Sequence, residues 1–134
     1  MAEGFARQFG RVRRQRYEVR SASTLGLNGN PADPKAVKVM EELGIPIDDH
    51  RATPLTTELA EWADWILVME MGHASRVREL APEMGERVLL LGTFGGTLEI
   101  GDPLGGWTRR FRHSRDEIRS CVERFCDQLP PRPA

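Results

Sequence analysis

The sequence predicts an α/β domain built on a parallel sheet, and three observations carry that prediction. Apolar residues recur at three- and four-residue steps in several stretches, the spacing of helices that bury one face. Short runs at residues 17–21, 65–69 and 87–91 read as strands, by alternation in the first and continuous apolar character in the other two. Helical stretches separate these strands, and chains that repeat strand and helix in turn fold as parallel sheets with helices on their faces.

Residues 1–14 form the first helix, with Ala2, Phe5, Ala6, Phe9 and Val12 as its buried stripe. No strand, turn or cap precedes it, although such a helix normally crosses over from an earlier strand. The expectation is therefore a domain whose first strand and first loop lie outside this sequence. Residues 17–21 follow as a strand, then a Gly- and Asn-rich loop at 25–32. Asp33-Pro34 opens the next helix, Asp33 as its cap and Pro34 in its first turn. Val37, Met40 and Leu43 are its expected stripe, and Gly44 closes it in the left-handed region.

A polar stretch at 48–54 leads to a short helix, capped by Thr56 or Thr57 and running through Ala63. The apolar run 65–69 fits a strand covered on both faces. A helix over about 72–80 and a second buried strand at 87–91 follow. Residues 92–106 hold six glycines and one proline, a loop with demands on its shape. The last helix starts near Phe111 or Ser114 and runs to Leu129, burying Ile118, Val122, Phe125 and Leu129, and Pro130-Pro131 ends it.

At 134 residues the chain predicts one domain, spanning 1–134, with no internal repeat. A formal charge of -1 selects neither nucleic acid nor an anionic membrane. The run 65–69 is too short to cross a bilayer, and the start lacks the pattern of a secretory leader, so a cytoplasmic location is expected. Arg11, Arg13, Arg14 and Arg16 read as a solvated helix end rather than a nucleic-acid patch. Cys121 and Cys126 lie five apart on a helix, a spacing that suits neither a disulfide nor a metal pair.

Ligands of an open parallel sheet bind beyond the carboxyl ends of its strands. Loops at 21–24, 70–72 and 92–106 leave such ends. Within the last, Pro103 keeps Asp102 extended, which suits a carboxyl group aimed across a site as a proton donor. The same dipeptide also suits a turn aspartate bonded to its own backbone.

A series of short motifs then becomes informative: M-A-E at the start, V-R-S-A-S-T, G-N-P-A-D-P-K-A-V, E-L-G-I, H-R-A-T-P-L-T, A-D-W-I-L-V-M-E and G-D-P-L-G-G. In order and spacing they resemble the low-molecular-weight protein tyrosine phosphatases, over nearly the whole chain to about Leu129. The P-L-T-T-E-L and D-P-L-G-G segments are most similar to bacterial members, including those that act on phosphoarginine. The resemblance implies a three-layer fold on a four-stranded parallel sheet, with the first strand missing from this chain. It also implies a cysteine thiolate attacking phosphorus from a C-x5-R loop at a helix N-terminus. By motif, Asp102 takes the role of the acid that protonates the leaving group. Ser21 and His50 match residues that support the phosphate loop, and Trp107 lies where the family places rim aromatics.

The family's cysteine and arginine come just before a segment resembling M-A-E, where this sequence begins, so Met1 resembles an internal residue. The one literal C-x5-R, Cys126 to Arg132, has two prolines, no glycine and no following helix, and does not suit a phosphate cradle. Without the first strand, unpaired backbone edges are expected to leave the chain poorly stable or prone to aggregate. Three functional readings follow: a phosphatase of phosphorylated protein or small phosphoesters whose active form begins upstream, a truncated non-catalytic binding or regulatory domain, and an arsenate reductase-like enzyme. The last requires cysteines in mid-chain, and residues 1–120 contain none. His50, His73 and His113 have no metal-ligand spacing, so neither metal nor cofactor is expected. The sequence carries no signal for oligomeric state.

Overall fold

The computed structural model describes residues 1–129. Helix α1 (Ala2–Arg13) buries Phe5 and Phe9. It closes through Arg14, at φ 54°, with bonds from Arg14 N–H to Arg11 O and from Gln15 N–H to Gly10 O. Helix α2 (Pro34–Glu41) starts as the sequence reads: the Asp33 side chain accepts from Lys35 N–H at 2.8 Å. Gly44 beyond it has φ +73°, a region L side chains rarely enter. Helix α3 (Thr57–Trp62) is capped by Thr56, whose hydroxyl accepts from Leu59 N–H.

Strands β1 (Ile66–Val68) and β2 (Val88–Leu90) pair in parallel, Ile66 with Val88 and Val68 with Leu90. Helix α4 (Met71–Leu80) and a 3₁₀ segment (Pro82–Arg87) make the crossover. A second 3₁₀ segment (Leu91–Gly95) leaves β2, and helix α5 (Thr108–Asp127) ends the described fold. The two strands separate two apolar clusters. Leu67 and Leu89 pack against the larger one, formed by residues such as Phe5, Phe9, Val39, Met40, Ile118 and Val122. Ile66, Val68, Val88 and Leu90 belong to the other, with Ala60, Ala74 and Val77. Side chains alternating across a strand thus give helices on both faces, a three-layer α/β arrangement.

Several expectations change. Residues 17–21 form no strand: the described sheet has two strands, and neither pairs with this segment. Its exposure still alternates, with Tyr17, Val19 and Ser21 half-buried and Glu18 and Arg20 exposed. A strand requires a neighbour as well as a pattern, and among the described residues none pairs with this segment. For the same reason the run at 65–69 is not covered all round; of Trp65, Ile66, Leu67, Val68 and Met69, only Val68 is buried. The stripe of α2 is Ala36, Val39 and Met40, with Val37 only half-buried. Its phase is set by α5, since Arg115 crosses to donate to Val39 O at 2.9 Å. Helix α5 starts at Thr108, anchored early by buried Phe111, and Leu129 is 40% exposed. Residues 130 and 131, expected to end that helix, lie outside the described residues.

Charges fasten the helices. Glu42, just past α2, accepts from Arg112 at 2.7 Å and from Arg115 at 2.8 Å. Arg13 is not merely solvated: it pairs with Glu123 at 3.3 Å and with Asp127 of α5. Cys121 and Cys126 are buried and free.

Candidate active site

Glu3 stands in the first turn of α1, where a carboxylate is favoured by the helix dipole. Its Oε2 accepts from the Ser21 hydroxyl at 2.5 Å and lies 3.5 Å from His50 Nδ1, an ion pair when the imidazole is protonated. Its Oε1 is 2.6 Å from Arg7, one turn along the helix. Arg7 also donates to Val19 O at 2.9 Å, so α1 holds the segment leading to Ser21.

Two short pairings bring Ser21 and His50 to this carboxylate. Ser23 bridges Pro54 in parallel, with Ser23 N–H on Thr53 O at 2.7 Å and Leu55 N–H on Ser23 O at 2.9 Å. Pro31 bridges Arg51, and the Arg51 guanidinium pins its own turn through the carbonyls of Asp48 and His50. The two residues singled out by sequence thus meet through a third that was missed as a side-chain partner. Glu3 gave one usable signal, its four-residue spacing to Arg7.

Asp102 belongs to a different set of contacts. Its loop is fixed to the carboxyl end of β1 by a bond from Ile100 N–H to Met69 O at 2.9 Å. Glu99 Oε2 accepts from Met71 N–H at 2.8 Å and supplies the cap that the N-cap residue Glu70 does not give α4. Asp102 is exposed, and its Oδ1 accepts from Leu104 N–H at 2.9 Å. That is the turn geometry weighed from the dipeptide. Asp102 also lines a cleft of about 190 Å³ with Met69, Glu70, His73, Ile100 and Pro103. The turn then closes through Gly106 N–H to Pro103 O at 2.8 Å, and Lys35 of α2 holds its exit by donating to Gly106 O at 2.6 Å. An added Cβ at Gly106 would come within 2.9 Å of Pro103 O, so only glycine fits this closure. Trp107 precedes α5 with 85% of its surface exposed.

Neither cysteine suits nucleophilic attack from its present place. Burial pushes the Cys121 thiol up, and its sulfur packs under Gly95. Cys126 Sγ lies 3.4 Å from the Tyr17 hydroxyl, which also donates to Ala6 O at 2.6 Å. Burial, then that contact, raises the Tyr17 phenol above its ordinary range. A thiol raised in this way is a poor nucleophile, and Cys126 is kept from a substrate by its burial. Of the literal C-x5-R at 126–132, residues 130–132 lie outside the described residues. Among the described residues, no group of three or more His, Cys, Asp or Glu is arranged to hold a metal ion, and no helix is long and apolar enough to cross a membrane.

A parallel three-layer fold with an open loop at a strand's carboxyl end defines an α/β domain of the class that binds its ligands beyond those strand ends. The sequence profile described as low molecular weight phosphotyrosine protein phosphatase matches residues 1–132, and the chain belongs to that family. It is 33% identical over 114 residues to the protein-arginine-phosphatase of Geobacillus stearothermophilus, covering 84% of this chain and 76% of that protein. It is 35% identical over 118 residues to the low molecular weight protein-tyrosine-phosphatase Wzb of Escherichia coli (strain K12), covering 85% and 78%. Among solved structures it is similar to the low molecular weight protein tyrosine phosphatase of T. tengcongensis, with TM-score 0.89, 28% identity, and 96% and 88% of the two chains covered.

Proposed function

We propose that this chain is the body of a protein phosphatase that hydrolyses phosphotyrosine or phosphoarginine through a cysteinyl-phosphate intermediate. The observation that carries the reading is the Asp102 loop, anchored on Met69 and bordering a cleft, in a chain of this family. Relatives named as protein-arginine- and protein-tyrosine-phosphatases support it.

The chemistry divides into two displacements. A cysteine thiolate attacks phosphorus, and the bond to the leaving oxygen or nitrogen breaks as Asp102 delivers its proton there. The Asp102 carboxylate then takes a proton from a water that attacks phosphorus, the S–P bond breaks, and inorganic phosphate leaves. Ser21 and His50 act through Glu3, holding the start of α1 in place beneath the phosphate loop. Trp107 contacts the substrate at the rim. Transfer through cysteine requires neither metal nor cofactor.

The only cysteines in the sequence are Cys121 and Cys126, both buried. In the phosphatase reading the thiolate and the arginine that grips phosphate are supplied by a C-x5-R outside residues 1–134, and these residues alone give no turnover. In this reading 1–134 is one domain acting on phosphorylated protein in the cytoplasm, without nucleic acid or membrane. A second reading, a non-catalytic binding domain, is favoured by the lack of an accessible thiol among the described residues.

Hydrolysis of an aryl phosphate by this chain and by the chain extended upstream in frame separates the two. The phosphatase reading expects turnover only in the extended form, slowed about 10²- to 10⁴-fold by Asp102→Asn. No turnover in any extended form leaves the binding domain. Turnover by residues 1–134 themselves refutes the assignment of the nucleophile.

A further inference from the structure

The turn that carries Asp102 ends on a basic ledge. Gly106 closes the turn, and two cations straddle it. Lys35 Nζ donates to Gly106 O at 2.6 Å, and the Arg110 stem crosses the bare face of Gly106, its Cδ 2.6 Å from where a Cβ would stand. Lys35, Arg109 and Arg110 are exposed, and so is Trp107 beside them. The next two arginines of α5 are committed: Arg112 and Arg115 both pair with Glu42, at 2.7 and 2.8 Å. The side chains of Arg109 and Arg110 meet no carboxylate among the described residues, and the first turn of α5 holds no acid. Asp33, the acid nearest Lys35 in sequence, is engaged as the cap of α2. Lys35 gives one N–H to a carbonyl and keeps two. In a chain of net charge -1, positive charge is thus left uncompensated at one end of the Asp102 turn.

We propose that this ledge selects the substrate: Lys35 and Arg110, with Arg109 next to them, bind a carboxylate of the phosphorylated protein close to the phosphorylated side chain. The inference rests on the phosphatase reading and names the kind of protein segment that reading would take. Charge complementarity selects an acidic side chain, since an arginine fork and an ammonium group both match a carboxylate. Continuity with the site selects a segment of the substrate itself. Leu104 N–H binds Asp102 Oδ1 at 2.9 Å and Gly106 N–H binds Pro103 O at 2.8 Å, so a chain whose leaving group meets Asp102 passes over Gly106. Such a turn spans less than about 7 Å. An extended peptide advances about 3.3 Å per residue, which puts the acid about two to four positions from the phosphorylated residue.

The test uses phosphotyrosine and phosphoarginine peptides in which a single Glu, Gln or Lys is stepped along a neutral sequence, with the chain extended upstream as above. At the best position Glu is expected to exceed Gln about fivefold in kcat/KM, chiefly through KM, with the advantage fading at high salt. Arg110→Glu is expected to bring that ratio to about one or below and to make the Lys peptide the better substrate. Because each ratio is taken within one variant, a general loss of activity does not imitate this result. Aryl phosphate turnover with no gain from Glu at any position overturns the ledge and leaves the phosphatase reading intact. So does a Glu preference that survives Arg109→Glu combined with Arg110→Glu. If no extended form turns over aryl phosphate, the phosphatase reading falls, and the ledge is tested by binding to residues 1–134. The Gly106 and Arg110 amide resonances should then move with an unphosphorylated Glu peptide and stay still with the Lys peptide. Resonances that move equally with both peptides, or only with phosphatidylserine vesicles, overturn the proposal.

Discussion

The seam between α2 and α5 and the segment at 15–21 are built from the same residue types, and they end in opposite states. In the seam, Arg115 is buried with Val39 O, Glu42 and Asp116 around it, and Arg112 completes the Glu42 carboxylate. In the segment, Glu18 and Arg20 stand exposed on backbone that no strand among the described residues serves. Charge and alternation are present in both. What separates them is the supply of partners from elsewhere in the chain, which the seam receives from a helix some seventy residues on.

Hydrogen exchange gives that comparison its largest expected difference. Amides of residues 16–20 are expected to exchange at least about 1,000-fold faster than those of 118–125 in α5, since local opening there breaks no ladder. Equal protection would mean that the segment is paired in solution. Next in size is Arg115→Ala, which leaves Glu42 and the Val39 carbonyl short of a donor and is expected to cost about 2 kcal/mol in urea unfolding. Arg20→Ala is expected to cost less than about 0.5 kcal/mol. Tyr17→Phe removes the bond to Ala6 O, the one side-chain tie from this segment to the α1 backbone through a hydroxyl, and should cost about 1 kcal/mol.

A further check is a titration. Hydrogen bonds from Arg112, reinforced by its charge and by Arg115, hold the Glu42 carboxyl down at about 2 against an ordinary 4.5. A depressed carboxyl stabilises fully above its unfolded value and loses that contribution as pH falls through the folded one. The difference in unfolding midpoint between the native chain and Glu42→Gln should therefore be constant above pH 4.5 and shrink towards pH 2. A difference that persists at pH 2 would show that Glu42 acts by packing rather than charge.

What the sequence made legible follows the same division. Features settled within one turn were readable: Asp33 as a cap, Thr56 or Thr57 as the next, Gly44 in the left-handed region, and Phe5 and Phe9 within an α1 stripe whose expected last member, Val12, is instead 75% exposed. Features settled between distant segments were not. The alternation at 17–21 is real in exposure, yet a strand is a property of two chains of backbone, and pattern in one cannot supply the other. Val37 lost its place to Val39 because α5 decides which side of α2 is inside. Ser21 and His50 were singled out only through the family resemblance, and their shared contact Glu3 was not, because these partners are eighteen and forty-seven residues from it. For Asp102 the turn was legible from the dipeptide, and the structure shows it joined to a cleft. The family was legible and is the chain's own.

Glu99 has a consequence beyond capping. Because α4 borrows its first hydrogen-bond acceptor from the loop that carries Asp102, the loop and the helix start form one mechanical unit. A displacement of the loop that carries Glu99 outward uncaps α4, and fraying of α4 frees the loop. The Met71 amide is thus a built-in gauge of where the Asp102 loop stands, readable by its chemical shift without any substrate present.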